Sequence, residues 1–317
     1  MIQFFLKFVI SFGLIFYLIK SDKLQLKIFQ QLLDQPQFLI WAIMLNIGNL
    51  IIVAFRWKIL LQDHIKAKLP SSQIISYSFI GLFFNAVLPG SVSGDLLKIF
   101  YTQNLHPKLT KKFLLASVLI DRVAGLMGLI LLLGIFSIFN YQDLINLHPM
   151  MSGILKFNLT LLAGVIIFLF VFSFAPQLIL KSVAIIPILK KSIKEKISTY
   201  LETIIALKKT LFRILGLSII IQFVSVLVFY VLTNPFSFHP YSLQHAFSLI
   251  PLGYIGIAIP IAPSGLGVGH AVFDKIFSFI GISNGADLFN LYFIVTLLCN
   301  LIGIIPYLKY SKRNKKK

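Results

Sequence analysis

Asp95 and Lys98 stand one helical turn apart directly after a Pro/Gly break, Leu88-Pro89-Gly90-Ser91-Val92-Ser93-Gly94, inside a run of hydrocarbon side chains. At that spacing both can face one cavity, as a mutual ion pair or as an acid and a cation offered to a ligand. The N–H groups of residues 90–94 open the helix that carries them, and a helix N-terminus favours a phosphate or carboxylate. Asp95 can instead cap that helix itself. Asp121 and Arg122 lie well inside the apolar run 113–139. A charge at the centre of a membrane helix costs about 2.5 to 3.5 kcal/mol, so such residues face the bundle interior and mark a substrate path. Neighbouring residues on a helix point about 100° apart. Asp121 and Arg122 therefore each need a different partner, and Asp95 suits Arg122; a buried structural ion pair is the plainer role.

A second break, Pro260-Ile261-Ala262-Pro263-Ser264-Gly265-Leu266-Gly267-Val268-Gly269-His270, lies near the other end of the chain. Its glycines, Gly265 and Gly267 among them, let backbone approach a ligand closely. His270 is either a ligand contact or a hydrogen-bonded structural residue, with Asp274 one turn away as a partner. Arg56 and Trp57 end the second apolar run, where a snorkelling arginine and an interfacial aromatic are expected. Asn46, Asn49 and Asn85 are suited to interhelical hydrogen bonds. No His-Glu-x-x-His and no run of closely spaced aspartates is present, and the one cysteine, Cys299, forms no intramolecular disulfide. No catalytic residue, metal or cofactor is expected.

The residues that must position these groups are mostly apolar: 58% of the chain is hydrophobic, 12% is charged, and the mean hydropathy is +0.91. Ordinary soluble domains are about 25% charged, which excludes a soluble catalytic domain. Apolar runs at 4–19, 38–61, 73–101, 113–139, 157–175, 211–232, 243–280 and 288–308 recur from end to end. About 20 residues cross the hydrocarbon core, so the expected fold is all-α, a polytopic membrane helix bundle forming one integral domain over 1–317. The run 4–19 ends in Lys20-Ser21-Asp22-Lys23 without a cleavage pattern and reads as a retained helix.

The net charge of +19 is concentrated in short connections: Lys66 and Lys68, then Lys108, Lys111 and Lys112, the stretch 176–210, and the tail 309–317. The connections 140–153, 234–241 and 281–287 hold no Lys or Arg. This asymmetry places the basic connections and both termini in the cytoplasm, in an inner (cytoplasmic) membrane, with anionic lipid headgroups rather than nucleic acid as their partners. The loop 21–37 is the exception, external in this scheme although it carries Lys23 and Lys27. Residues 176–210 form a basic cytoplasmic segment, either a lipid-binding amphipathic surface or a solvated connector. Because basic connections flank 73–101 on both sides, that segment enters and leaves from the cytoplasm, while 243–280 dips in from outside. These are two re-entrant helical hairpins in an inverted repeat, the first unit covering about 38–139 and the second about 211–308, with the binding site where the tips meet.

The chain resembles the transmembrane domain of lysylphosphatidylglycerol synthases and its stand-alone, flippase-like relatives. The resemblance rests on Arg56-Trp57 with Leu60-Leu61, Phe83-Phe84-Asn85 leading to Leu88-Pro89-Gly90 and Gly94-Asp95, Asp121-Arg122 with Gly125-Leu126, and Pro263 with Gly265-Leu266-Gly267-Val268. It covers nearly the whole chain and implies a multi-pass domain that moves a modified phospholipid, or another amphiphile or isoprenoid-linked lipid, between leaflets. Two positions depart from the family pattern: Ser93-Gly94 stands where Gly-Gly is frequent, and His270 where an acidic residue is common. Lysyl transfer needs a soluble aminoacyl-transferase domain, and none is expected within this sequence.

The leading expectation is a lipid translocase rather than an enzyme, with a membrane lipid as substrate. Its binding residues would be Arg56, Asn85, Gly90, Gly94, Asp95, Lys98, Asp121, Arg122, Gly265, Gly267 and His270. Two alternatives are a membrane-embedded lipid-modifying transferase, with Asp95 or Asp121 as general base or metal ligand, and a non-catalytic membrane subunit of a lipid or envelope synthesis complex. A protein partner or homo-oligomer is compatible with the sequence.

Overall fold

A computed structural model of the chain describes residues 26–87, 93–179, 205, 207–258 and 267–314. The expected helix at 4–19, the tips of both breaks with Gly90 and Gly265, and most of the basic segment 176–210 lie outside the described residues. The helices in chain order are α1 (Leu26–Asp34), α2 (Pro36–Ile65), α3 (Ser71–Val87), α4 (Ser93–Thr102), α5 (Lys111–Phe139) and α6 (Tyr141–Leu147). They continue as α7 (Met151–Phe174), α8 (Lys208–Thr233), α9 (Leu243–Ala258), α10 (Val268–Ser278), α11 (Gly285–Leu301) and α12 (Ile304–Asn314). Five spans, namely α2, α5, α7, α8 through Phe236, and α11 with α12, are long and apolar enough to cross a membrane. Large apolar side chains such as Phe139 and Phe174 cover the outer face. Such a surface is stable against lipid and not against water.

Local chemistry sets the ends of these helices. Pro36 opens α2 at its first turn, where the missing N–H is no loss, and Lys66 stops it in the left-handed conformation at φ 54°. Thr110 caps α5, its hydroxyl oxygen accepting the Phe113 N–H at 3.2 Å.

Small polar side chains fix the register of the spans. Along α2 and α8, Asn49 meets Ser225 at 2.8 Å, Arg56 meets Ser218 at 2.7 Å, and Asp63 accepts from Thr210. The numbers rise on one helix as they fall on the other, so α2 and α8 run antiparallel. The same logic holds for α2 against α5, where Arg56 meets Asp121, Trp57 meets Ser117 and His64 stacks on Phe113. One end of the bundle therefore collects the end of α2 and the starts of α5 and α8, which carry Lys66, Lys111, Lys112, Lys208 and Lys209. Lys58 donating to Ser71 ties the start of α3 to that end, and Tyr310 of α12 packs on Tyr77 and Tyr101 there. The opposite end joins the end of α5 to α9 through Asn140 and Ser248, and the end of α8 to the starts of α2 and α11 through Phe236.

Each break separates two helices that fold back on one another. Across the first, Tyr77 stacks on Tyr101, Gly81 packs on Lys98, and Asn85 bonds Gly94, so α3 and α4 are antiparallel and both begin and end at the basic end. Across the second, Gly253 lies against Phe273 and Gly256 against Val272, so α9 and α10 are antiparallel and begin and end at the opposite end. An aromatic core of Phe229, Phe247, Phe273, Phe277 and Phe289 holds the second pair to the spans.

Three features differ from the expected outline. The loop 21–37 contains α1, which packs Ile28 and Leu32 into the core, and the connection 140–153 contains the short α6 with Leu144 buried. The run 288–308 is not one helix: α11 and α12 part at Gly303, where a Cβ would lie 2.0 Å from the Phe79 carbonyl oxygen of α3.

Candidate functional site

Five charged side chains converge inside the bundle from three elements. Arg56 comes from α2, Asp95 and Lys98 from α4, and Asp121 and Arg122 from α5. At 1.5 Å rise per residue, Asp121 and Ser218 each lie about 15 Å from the start of their helices, half the thickness of a hydrocarbon core of about 30 Å.

Arg56 and Asp121 form the inner pair. Arg56 Nε donates to Asp121 Oδ1 at 2.9 Å, and the side chains are 6% and 11% exposed. The other arm of the guanidinium, Nη1, donates to Ser218 Oγ on α8 at 2.7 Å. Gly125, one turn beyond Asp121 on α5, faces the guanidinium, and a Cβ there would meet Nη1 at 3.4 Å, an ordinary contact distance. The expectation that Arg56 snorkels at an interface does not hold: α2 runs on to Ile65, which places Arg56 inside the bundle.

Arg122 and Asp95 form the outer pair. Arg122 Nη2 and Nε reach Asp95 Oδ2 at 2.5 and 3.1 Å, as the sequence suggested. Its exposure is different in kind: the Arg122 side chain is 47% exposed and Asp95 15%. The sequential neighbours Asp121 and Arg122 thus turn to different partners.

Lys98 is buried one turn beyond Asp95 on α4 and reaches Trp57, the sequence neighbour of Arg56. Its stem crosses α3 at Gly81, where a Cβ would sit 3.2 Å from Lys98 Cβ. The ammonium ends 3.7 Å from the centroid of the Trp57 ring, and Trp57 is fully buried. Trp57 Nε1 donates in turn to Ser117 Oγ at 3.1 Å. Among the described residues no carboxylate comes within ion-pair distance of Lys98. Three basic side chains against two acidic ones give the cluster a formal excess of one positive charge.

Glycine and asparagine build the frame around these charges. A Cβ on Gly94 would lie 1.8 Å from the Gly81 carbonyl oxygen, so only glycine lets α4 reach α3 this closely. Asn85 Oδ1 accepts the Gly94 N–H at 2.8 Å, satisfying one of the open donors of the α4 N-terminus.

The second break brings its residues together separately. Gly267 has φ +82° with open space around its Cα, so glycine is needed there for backbone conformation. Its N–H donates to His270 Nδ1 at 3.2 Å, and His270 Nε2 lies 2.5 Å from Asn290 Oδ1 on α11. These bonds stay within α10 and α11, and His270 turns to Asn290 rather than Asp274. His270 is the third residue of α10 as Asp95 is of α4, and Gly269 precedes it as Gly94 precedes Asp95.

Ser117, Ser218 and Trp57 are site residues that the sequence did not single out as such. A crevice of about 230 Å³ between α5, α7 and α8, lined by side chains such as Val123, Met127, Phe168, Phe172 and Leu215, is apolar and suits hydrocarbon rather than a headgroup.

Residues 4–303 match a family model described as the lysylphosphatidylglycerol synthase TM region. Among curated proteins and among solved structures nothing matches the chain. The order of its motifs, the membrane-length helices and the match over nearly its whole length lead to one family: the chain is a multi-pass membrane protein that belongs to the lysylphosphatidylglycerol synthase TM region family.

Proposed function

We propose that this protein moves a lipid with an anionic headgroup between the two leaflets of the inner membrane. The observation that carries the reading is the charged cluster itself. Five ionic groups at half the depth of the bundle are costly in hydrocarbon, and their balance of one positive charge suits an anion with a single formal charge. Arg122 is exposed enough to exchange Asp95 for a phosphate, Lys98 brings a cation without its own carboxylate, and Asp95, once released, can face the cationic part of a zwitterionic or aminoacylated headgroup.

In this reading α3–α4 and α9–α10 are re-entrant hairpins, the first entering from the cytoplasm and the second from outside. Each follows a long span (α2 or α8) and precedes another (α5, or α11 with α12), giving an inverted repeat over about 38–139 and 211–308. The placement of the basic connections at one end of the bundle supports a cytoplasmic orientation for that end, where α12 leads to the C-terminus, and the reading puts the N-terminus on the same side. Irregular backbone at membrane depth needs protein or a water-filled cavity to satisfy its polar groups, and in this reading the charged cluster lines such a chamber. The whole chain then acts as one domain, with the lipid tail in hydrocarbon and the headgroup in the chamber.

The test is leaflet exchange of headgroup-labelled phosphatidylglycerol in liposomes containing the purified protein. Wild-type protein should exceed empty vesicles, and Lys98→Met and Arg122→Ala should each lower the rate at least tenfold. Equal rates in all four preparations contradict the function.

A further inference from the structure

Trp57 has the position of an interfacial aromatic in the sequence but not in the structure. It is fully buried at the level of the charged cluster, with its ring under the Lys98 ammonium at 3.7 Å and its indole N–H fixed on Ser117 at 3.1 Å. A buried ammonium ordinarily takes a carboxylate partner, and two carboxylates stand nearby. Both are already engaged, Asp121 by Arg56 and Asp95 by Arg122. The indole face attracts the cation without neutralising it, because a ring quadrupole carries no net charge.

We infer that Trp57 is a positioning residue for the anion site: it holds Lys98 inside the bundle without a paired carboxylate, and Lys98 so held is the group that takes the headgroup phosphate. This rests on the anionic-headgroup reading above and adds which cation makes the primary contact and what keeps it there. Arg56 is already bonded to Asp121 and Ser218, and Arg122 must first give up Asp95. The Ser117 bond fixes the indole plane, and Gly81 leaves room for the lysine stem, so the ammonium is aimed by three helices at once. A phosphate drawing the ammonium off the ring would change the surroundings of the indole, so Trp57 itself reports the event.

The chain has two tryptophans, and Trp41 lies 57% exposed on α2 away from the cluster. Trp41→Phe therefore yields a protein whose emission comes from Trp57 alone. Titration with dioctanoyl phosphatidylglycerol should shift that emission saturably. Dioctanoyl phosphatidylcholine should need at least tenfold higher concentration, and adding Lys98→Met should abolish the response while the emission stays at short wavelength. In parallel, anisotropy of a labelled short-chain phosphatidylglycerol should show at least tenfold weaker binding to Trp57→Leu, and recovery to within about threefold of wild type in Trp57→Phe, which restores a π face. If Trp57→Leu binds like wild type while Lys98→Met does not, the headgroup reading stands and the role of Trp57 falls. An unchanged Trp57 emission at saturating phosphatidylglycerol also overturns that role, whether or not Trp57→Leu folds. If neither phosphatidylglycerol nor phosphatidic acid binds the wild-type protein, both fall.

Discussion

Replacing Asp121 by alanine leaves the Arg56 guanidinium, 6% exposed, with a serine hydroxyl but no counter-charge. Breaking a buried pair from one side costs about 3 to 5 kcal/mol, because the surviving charge stays desolvated. The pair Arg122–Asp95 offers an internal comparison. Its arginine is 47% exposed, and in the water-filled chamber proposed above such a pair contributes at most about 1 kcal/mol. Asp121→Ala should therefore lower the unfolding midpoint in an SDS titration of mixed micelles far more than Arg122→Ala. The double replacement Arg56→Met with Asp121→Leu removes both charges at similar volume and should recover stability to within about 1 kcal/mol of wild type. Ser218 is not orphaned by it, since its hydroxyl also donates to the Ile214 carbonyl. Equal losses in Asp121→Ala and Arg122→Ala would refute the reasoning, as would a double variant no more stable than Asp121→Ala alone.

Two further outcomes follow from the packing. Gly94→Ala must push α4 off α3, because the new methyl would lie 1.8 Å from a backbone oxygen; it should abolish lipid exchange and lower the melting temperature, whereas Gly48→Ala, with nothing within 4 Å, should raise helix stability by about 0.5 to 1 kcal/mol. A smaller melting shift for Gly94→Ala than for Gly48→Ala would contradict the close approach of the helices. His270→Ala removes the bond to Asn290 and should cost about 1 kcal/mol in the same titration while phosphatidylglycerol binding stays within threefold of wild type. A tenfold loss of binding would place His270 in the headgroup site instead.

The Arg122–Asp95 pair was legible in the sequence because two charges in separate apolar runs, each unable to pair with its neighbour, leave few partners. Both breaks were legible because clustered Pro and Gly disfavour a continuous helix, and separate helices do stand on either side of each. The partner of Asp121 was not legible. Arg56 stands near the end of its apolar run, and Gln62, Asp63 and His64 beyond it look like interface, yet α2 continues through them and draws the arginine inward. Ser117 and Ser218 escaped notice because a lone serine barely interrupts a hydrophobic run. What selects them is register across helices, where Asn49, Arg56 and Asp63 on α2 recur every seven residues and meet Ser225, Ser218 and Thr210 on α8. The Lys98–Trp57 stack joins residues from α4 and α2, with the lysine stem close against Gly81 of α3, and no single-helix pattern encodes such a meeting.

The chamber exists only if the two helix pairs enter the bilayer from opposite faces, and single-cysteine labelling decides this. With buried Cys299 replaced by serine, cysteines at Pro70 and Lys108 should react with a membrane-impermeant maleimide from the cytoplasmic side alone, and cysteines at His239 and Ser283 from the other side alone. Labelling of positions 70 and 108 from opposite sides would mean that α3–α4 crosses the membrane, and the proposed path for the headgroup would be lost.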